Sequence, residues 1–151
     1  MDEGGSLPEA SYTKGVAYSS SNNLIVLAGY TKGNMKQVSG SSFNGGNTCE
    51  YSQCTTDAWV AAFNTAGVFQ WGRQYSSGQP SQYTQITSYV DMFTAVAVYS
   101  DQIWAIGHSN EVISSSYTNQ GSYDIIRVAL YTSGSEINTF QEGSWLVVLK
   151  L

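Results

Sequence analysis

Short runs of β-branched and aromatic residues recur along the chain, and clusters of Gly, Ser, Asn and Asp separate them. Such runs are typical of strands, and no segment keeps the 3.6-residue period of an amphipathic helix. Polar residues at 20–23 and 100–102 predict tight hairpin turns, because Asn and Asp tolerate a left-handed backbone. The chain is therefore expected to be all-β. The predicted strands cover residues 15–19, 24–31, 58–64, 68–75, 93–99, 103–109, 125–131 and 144–151, with a weaker candidate over 82–89.

The sequence also contains an internal duplication. The segment from Asp57 to Gly67 aligns without a gap with the segment from Asp124 to Gly134, and matching pairs of apolar runs precede both segments. Self-similarity of this kind predicts two repeats of one supersecondary unit. We expect a single all-β domain over residues 12–151 with repeats at about 12–78 and 90–143. An acidic segment, residues 1–11, precedes the domain, and a C-terminal strand, residues 144–151, ends it.

Three pairs of residues recur at equivalent positions of the two repeats and are expected to serve the fold rather than chemistry. A small residue lets a neighbouring backbone approach a strand, and a turn glycine supplies a positive φ. A carboxylate at the start of a strand accepts N–H groups of the preceding loop. These pairs are Gly29 and Gly107, Gly67 and Gly134, and Asp57 and Asp124.

The composition excludes several classes of protein. Aromatic residues make up 13% of the chain, which argues against a disordered protein because their side chains supply surface to bury. Charged residues make up only 11%, and the hydroxyl groups of 22 Ser and 12 Thr provide most of the polar surface instead. The net charge is -5 and the six Lys and Arg are scattered, which argues against nucleic-acid binding. No apolar run approaches the ~20 residues needed to span a bilayer.

Cys49 and Cys54 are the only cysteines, and both lie in a long polar segment. Their spacing predicts a disulfide that closes a small loop, with free thiols and a metal pair as alternatives. A structural zinc site needs four ligands, and His108 is the only other soft ligand in the chain. A disulfide favours an extracellular or cell-surface location.

No group of residues predicts catalysis, and we expect a non-enzymatic protein without a cofactor or metal. His108 is the only histidine, and the chain has no G-x-S-x-G motif that would supply a nucleophile. Most acidic residues lie beside turn residues, and no D-x-D-x-D run predicts calcium binding. The acidic residues considered for paired-acid or calcium chemistry are Asp57, Asp91, Asp101, Glu111, Asp124 and Glu136.

Aromatic side chains in loops offer a second possibility, since the faces of Tyr and Trp stack on sugar rings. The candidates for glycan stacking are Tyr51, Tyr83, Tyr117 and Tyr123, which lie in or beside predicted loops. The tryptophans stand within predicted strands, where core packing is the expected role.

These motifs resemble the repeats of β-propellers of the SBBP type and of related large surface proteins. Residues 24–31 match the strand that ends in G-x-T, residues 57–67 match D-x-aromatic-V-A with its closing Gly, and residues 71–75 match W-x-x-Q-aromatic. In the second repeat, residues 121–124 supply the G-x-x-D that precedes this strand. The resemblance covers residues 12–140 and implies four-stranded antiparallel blades.

A closed propeller needs about 4–8 blades, whereas two repeats supply about two. We therefore expect two propeller-blade-like antiparallel β units packed as a sandwich or partial propeller. The alternative is a fragment of a larger closed β-propeller. Stacking is what buries the faces of such units, so neighbouring chains are expected to complete this one.

The expected function is that of an extracellular structural module. The C-terminal strand is predicted to be an assembly strand that pairs within or between chains. Its apolar residues are Trp145, Leu146, Val147, Val148 and Leu149. The expected partners are copies of the chain or sister subunits of a surface fibre or polymeric assembly, joined by strand or edge contacts. The alternative is a carbohydrate-binding β-propeller-type domain with glycans as partners.

Overall fold

The computed structural model describes residues 11–32, 56–75, 90–110 and 123–143. These residues form eight strands and contain no helix. The strands make two four-stranded antiparallel sheets that pack together without closing into a barrel. The strands are β1 (Ser11–Ser19), β2 (Leu24–Thr31), β3 (Asp57–Asn64), β4 (Phe69–Tyr75), β5 (Asp91–Tyr99), β6 (Gln102–Ser109), β7 (Asp124–Tyr131) and β8 (Glu136–Gly143). The expected all-β class, with two packed antiparallel units, is confirmed.

The two sheets share one topology. Each is a meander in which consecutive strands are neighbours, with the orders β1-β2-β3-β4 and β5-β6-β7-β8. Irregularities in pairing also recur, because the first two strands of each sheet shift register once and the last two strands shift register once. The sequence repeat therefore corresponds to one four-stranded sheet.

The predicted turns contain left-handed residues as expected, although at 100–102 the left-handed residue is Ser100 rather than Asp101. Asn23 and Ser100 have φ values of 51° and 57°, and Gly67 and Gly134 have φ values of 79° and 86°. These four residues stand in the hairpins that join β1 to β2, β5 to β6, β3 to β4, and β7 to β8. Left-handed residues give tight hairpins the twist of their strands.

One strand was missed in the sequence. β8 covers Glu136–Gly143, where the polar sequence Glu-Ile-Asn-Thr-Phe-Gln-Glu-Gly lacks an apolar alternation. The strand forms because it pairs with β7 along its whole length, from Leu130 opposite Glu136 to Asp124 opposite Gly143. As the last strand of its sheet, it has a neighbour on one side only within the described residues.

Gly29 and Gly107 are needed where two strands approach closely. A Cβ on Gly107 would overlap the carbonyl oxygen of Met92 and lie 2.7 Å from its carbonyl carbon. A Cβ on Gly29 would overlap the carbonyl oxygen of Tyr12 in the same way. Both glycines lie beside the register shift between the first two strands of their sheets, so the expected close approach is confirmed.

The two sheets pack against each other through faces that are not equivalent in the repeat. The shared core takes Val60 and its same-face neighbours from the first sheet, and Ile126, Val128 and Leu130 from β7 of the second. In the alignment of the repeats, the residue equivalent to Val60 is Arg127, which lies on the opposite face of β7 from this core. The two repeats therefore do not meet through equivalent faces. This arrangement is heterologous, so each sheet keeps one face that the other does not cover.

Side chains of β4 fasten the outer part of the interface. Trp71 donates its indole N–H to the carbonyl of Thr132 at 2.8 Å, and Arg73 donates from Nε to the carbonyl of Gly134 at 2.6 Å. Burial raises the pKa of Tyr75 well above its usual range, and nearby Glu136 raises it further. Tyr75 therefore stays a neutral phenol, which suits its position against the core.

Candidate functional site

The uncovered face of the second sheet is the most distinctive surface among the described residues. It is called the open face here. Its side chains alternate with the core residues of β6 and β7, and they include apolar, aromatic and basic groups. Ile106 is 44% exposed and Tyr131 is 43% exposed, although both lie on well-paired strands. The open face consists of Trp104, Ile106, His108, Tyr123, Ile125, Arg127, Tyr131 and Phe140.

Arg127 occupies the middle of this face, between two aromatic rings. Its guanidinium carbon lies 4.4 Å from the ring centroid of Phe140 and 5.5 Å from that of Trp104. Phe140 is the cross-strand partner of Arg127, and Trp104 lies on β6, the other neighbour of β7. Within the described part of the chain, no carboxylate or carbonyl accepts a hydrogen bond from this guanidinium.

The same cross-strand position in the first sheet explains this arrangement. There Val60 lies opposite Arg73, just as Arg127 lies opposite Phe140 in the second sheet. Each repeat thus has one arginine in this cross-strand pair. Arg73 lies on β4, the fourth strand of the first sheet, and Arg127 lies on β7, the third strand of the second sheet. Arg73 reaches the neighbouring sheet, while Arg127 has no sheet in front of it.

The outward face of the first sheet differs from the open face. Trp59 is only 4% exposed, and Ala61 and Phe69 are also buried. These residues form a second apolar cluster, with Leu27 and Phe63 packed against it. On β3 and β4 this face is therefore inaccessible, whereas β7 and β8 carry accessible side chains on the open face. The exposed apolar side chains on the outward face of the first sheet are Val16 and Tyr18 of β1.

Tyr123 is the one glycan-stacking candidate that the structure describes. It is 48% exposed, and its ring meets the ring of His108 edge to face at a centroid distance of 5.3 Å. The other three candidates, Tyr51, Tyr83 and Tyr117, lie outside the described residues.

Two further predicted sites lie outside the described residues as well. They are the disulfide of Cys49 and Cys54 and the assembly strand, whose residues are Trp145, Leu146, Val147, Val148 and Leu149. Both remain predictions.

The acidic residues at the ends of the strands are buried and bonded. Asp57 accepts a hydrogen bond at 2.7 Å from Nε2 of Gln74, and Asp91 accepts one from the hydroxyl of Ser109. Ser109 lies opposite both Asp91 and Asp124, so the three side chains follow one row across β5, β6 and β7. Among the residues that the structure describes, no three His, Cys, Asp or Glu side chains gather as a metal site would require.

His108 gives the protein a defined pH dependence. Burial lowers the pKa of His108, because the protonated ring loses solvation beside Tyr123. Since the folded pKa is below the unfolded value of about 6.5, the unfolded chain binds more protons between these two values. The contribution of His108 to stability is therefore fully present above pH ~6.5 and is lost as the pH is lowered towards the folded pKa.

We expect the thermal midpoint to fall modestly across this window, and His108→Gln to remove that part of the fall. His108 is the only histidine, so a thermal melt series between pH ~7.5 and ~5 reports on it directly. An unchanged pH dependence in the variant would contradict the assignment.

Comparison with known proteins adds no further constraint. No model of a known protein family matches the chain, and a search of characterised proteins finds no significant match. Within the four described ranges, no helix has the length and apolarity required to cross a membrane.

The open face was not predicted as a site from the sequence. The available signal was Arg127, which stands in the alignment where the first repeat has Val60. An arginine at a position that is buried in the sister repeat indicates that the two faces have different surroundings.

Proposed function

We propose that the chain is a non-enzymatic structural module that joins copies of itself into an extracellular assembly, with the open face as the contact surface. The observation that carries this proposal is the equivalence of the two repeats. The face of the first repeat that carries Val60 is covered by a second sheet, while its equivalent in the second repeat is open. The two sheets of one molecule meet through non-equivalent faces. A further molecule can therefore pack against the open face without displacing either sheet.

The chemistry of the open face supports a protein partner. Trp, Tyr and Arg are the residues that contribute most often to binding energy at protein interfaces, and Lys, Glu and Asp are depleted there. Trp104, Arg127 and Tyr131 are of the favoured types. These side chains lie on two paired strands, β6 and β7, and this gives a rigid surface that loses little conformational entropy on binding.

Two sequence features support the extracellular, non-enzymatic part of the proposal. The polar side chains are mainly hydroxyl groups of Ser and Thr, and a pair of cysteines lies within one polar segment. His108, the only histidine, faces tyrosine and apolar neighbours, and the described serine on its own strand, Ser109, bonds to Asp91 instead.

Replacing Ile106 by lysine tests the surface directly. We expect Ile106→Lys to weaken self-association about tenfold or more, which corresponds to about 1.4 kcal/mol, because the contact loses apolar surface and must cover a charged ammonium that has no partner there. Sedimentation equilibrium over a range of protein concentrations measures the association constant of both proteins.

Val68→Lys is the matched control. Val68 is a β-branched residue, 51% exposed, in the hairpin between β3 and β4, away from the open face. Its backbone N–H donates to Oδ1 of Asn64 at 2.9 Å, and the substitution leaves this bond in place. A wild-type chain that stays monomeric, or equal losses from both substitutions, would contradict the proposal.

Carbohydrate binding is the second candidate function, because the exposed ring of Tyr123 lies beside His108 on an aromatic surface. A glycan array with the wild-type chain tests it, with Tyr123→Ala as the disabling variant. Tyr99→Ala, at another exposed tyrosine, serves as the control. Glycan signals that Tyr123→Ala abolishes and Tyr99→Ala preserves would support this function over self-assembly.

A further inference from the structure

Arg127 has an unusual environment for a cation on a sheet surface. The rings of Phe140 and Trp104 hold its guanidinium at 4.4 and 5.5 Å. Cation–π contacts of this kind orient the planar group without satisfying its N–H donors. The guanidinium therefore has a fixed position on the open face and, among the described residues, unused hydrogen-bonding capacity.

A molecule that covers the open face must supply a hydrogen-bond acceptor for the guanidinium of Arg127. A guanidinium that loses water without gaining an acceptor is strongly unfavourable, whereas a carboxylate can meet it with two parallel hydrogen bonds. A purely apolar partner surface, such as the one that covers Val60, is therefore unsuitable here. The partner must bring an acceptor to the centre of the contact.

The molecule already shows how an arginine at this position meets a neighbouring sheet. Arg73, on the corresponding cross-strand pair of the first sheet, donates to the carbonyl of Gly134 at 2.6 Å. Its guanidinium also lies 3.7 Å from the carboxylate of Glu136. The interface between the two sheets thus pairs an arginine of one sheet with a carboxylate of the other.

We infer that Arg127 is a carboxylate-binding residue of the open face, and that the carboxylate comes from a second copy of this chain. The inference rests on the proposed function and adds the chemistry by which a copy is recognised. The chain carries 11 Asp and Glu against 6 Lys and Arg, so a second copy offers carboxylates in excess. Charge complementarity at a central arginine also supplies specificity against apolar surfaces that lack an acceptor.

The decisive variant is Arg127→Val, which installs the residue that the first repeat has at this position. We expect it to weaken self-association at least about tenfold, because the copy's carboxylate is then buried without its partner. Arg127→Lys is expected to be weakened as well, since an ammonium cannot replace the bidentate guanidinium. Wild-type association is expected to weaken between about 0.05 and 0.5 M salt, and that of Arg127→Val to respond much less.

Lys14→Val is the matched control, because Lys14 also holds its charge over an aromatic ring, 5.5 Å from the centroid of Tyr30, but on the first sheet. It removes the same charge and is expected to associate like wild type. If Arg127→Val associates as well as or better than wild type while Ile106→Lys is impaired, the carboxylate inference fails and the proposed function stands. A wild-type chain that does not associate overturns both.

Discussion

Phe93→Ala is expected to lower the free energy of unfolding by about 3–5 kcal/mol, the usual cost of removing a fully buried phenylalanine. Phe93 lies on β5 within the core that the two sheets share. Its ring meets the ring of Tyr75, on β4 of the other sheet, edge to face at a centroid distance of 5.5 Å. The substitution therefore removes apolar surface and an aromatic contact from the join between the repeats.

Tyr99→Ala on the same strand is the control, because the Tyr99 ring is largely exposed. It should change stability by no more than about 0.5 kcal/mol. Urea unfolding followed by tryptophan fluorescence measures both variants. Because the sheets bury one common core, we expect a single cooperative transition for wild type. Two separate transitions, with Phe93→Ala shifting neither by more than the control, would contradict a shared core.

Gly107→Ala is expected to cost about 3 kcal/mol or more, a large effect for one methyl group. The added Cβ overlaps the carbonyl oxygen of Met92, and this atom belongs to the backbone of the adjoining strand. Backbone in the middle of a paired sheet cannot move aside as the end of a flexible side chain can. The strands β5 and β6 must therefore separate locally, which adds lost hydrogen bonds to the cost of overpacking.

Gly67→Ala separates this steric effect from the general cost of replacing a glycine. No atom lies within 4 Å of a Cβ at Gly67, but its φ of 79° is unfavourable for alanine. The expected loss is about 1 kcal/mol, since only the left-handed backbone opposes the substitution. Thermal and urea unfolding of the two variants gives the comparison. Equal losses would show that the close approach at Gly107 is not a constraint on the fold.

The repeat was the part of the fold that the sequence predicted best. Glycines and short polar clusters are local signals, so the hairpin at Asn23 and the turn at Gly67 followed from the residues themselves. The bounds of β2 agree with the prediction, and those of most other strands differ by one or two residues. Among the strands that were predicted, β1 is the exception, because pairing of Ser11 with Thr31 extends it beyond the apolar run that predicted it.

The relation between the two sheets was not predictable in the same way. Alternation shows that a strand has two faces, but both faces of β3 and β7 carry apolar residues, so the pattern does not say which one meets the other sheet. β8 was missed because strand pairing, rather than side-chain pattern, holds it in place. The role of Arg127 depends on Trp104 and Phe140, which only the register of three strands brings together.

Hydroxyl-radical footprinting at increasing protein concentration tests the central claim most directly, namely that the open face joins one copy to another. Trp104 and Tyr131 on the open face and Tyr12 on β1 of the first sheet are oxidisable side chains with exposed surface, and Trp59 is a buried internal reference. We predict that oxidation of Trp104 and Tyr131 falls as the copies associate, while that of Tyr12 does not change. Association that leaves Trp104 and Tyr131 as reactive as in the dilute protein would contradict the account.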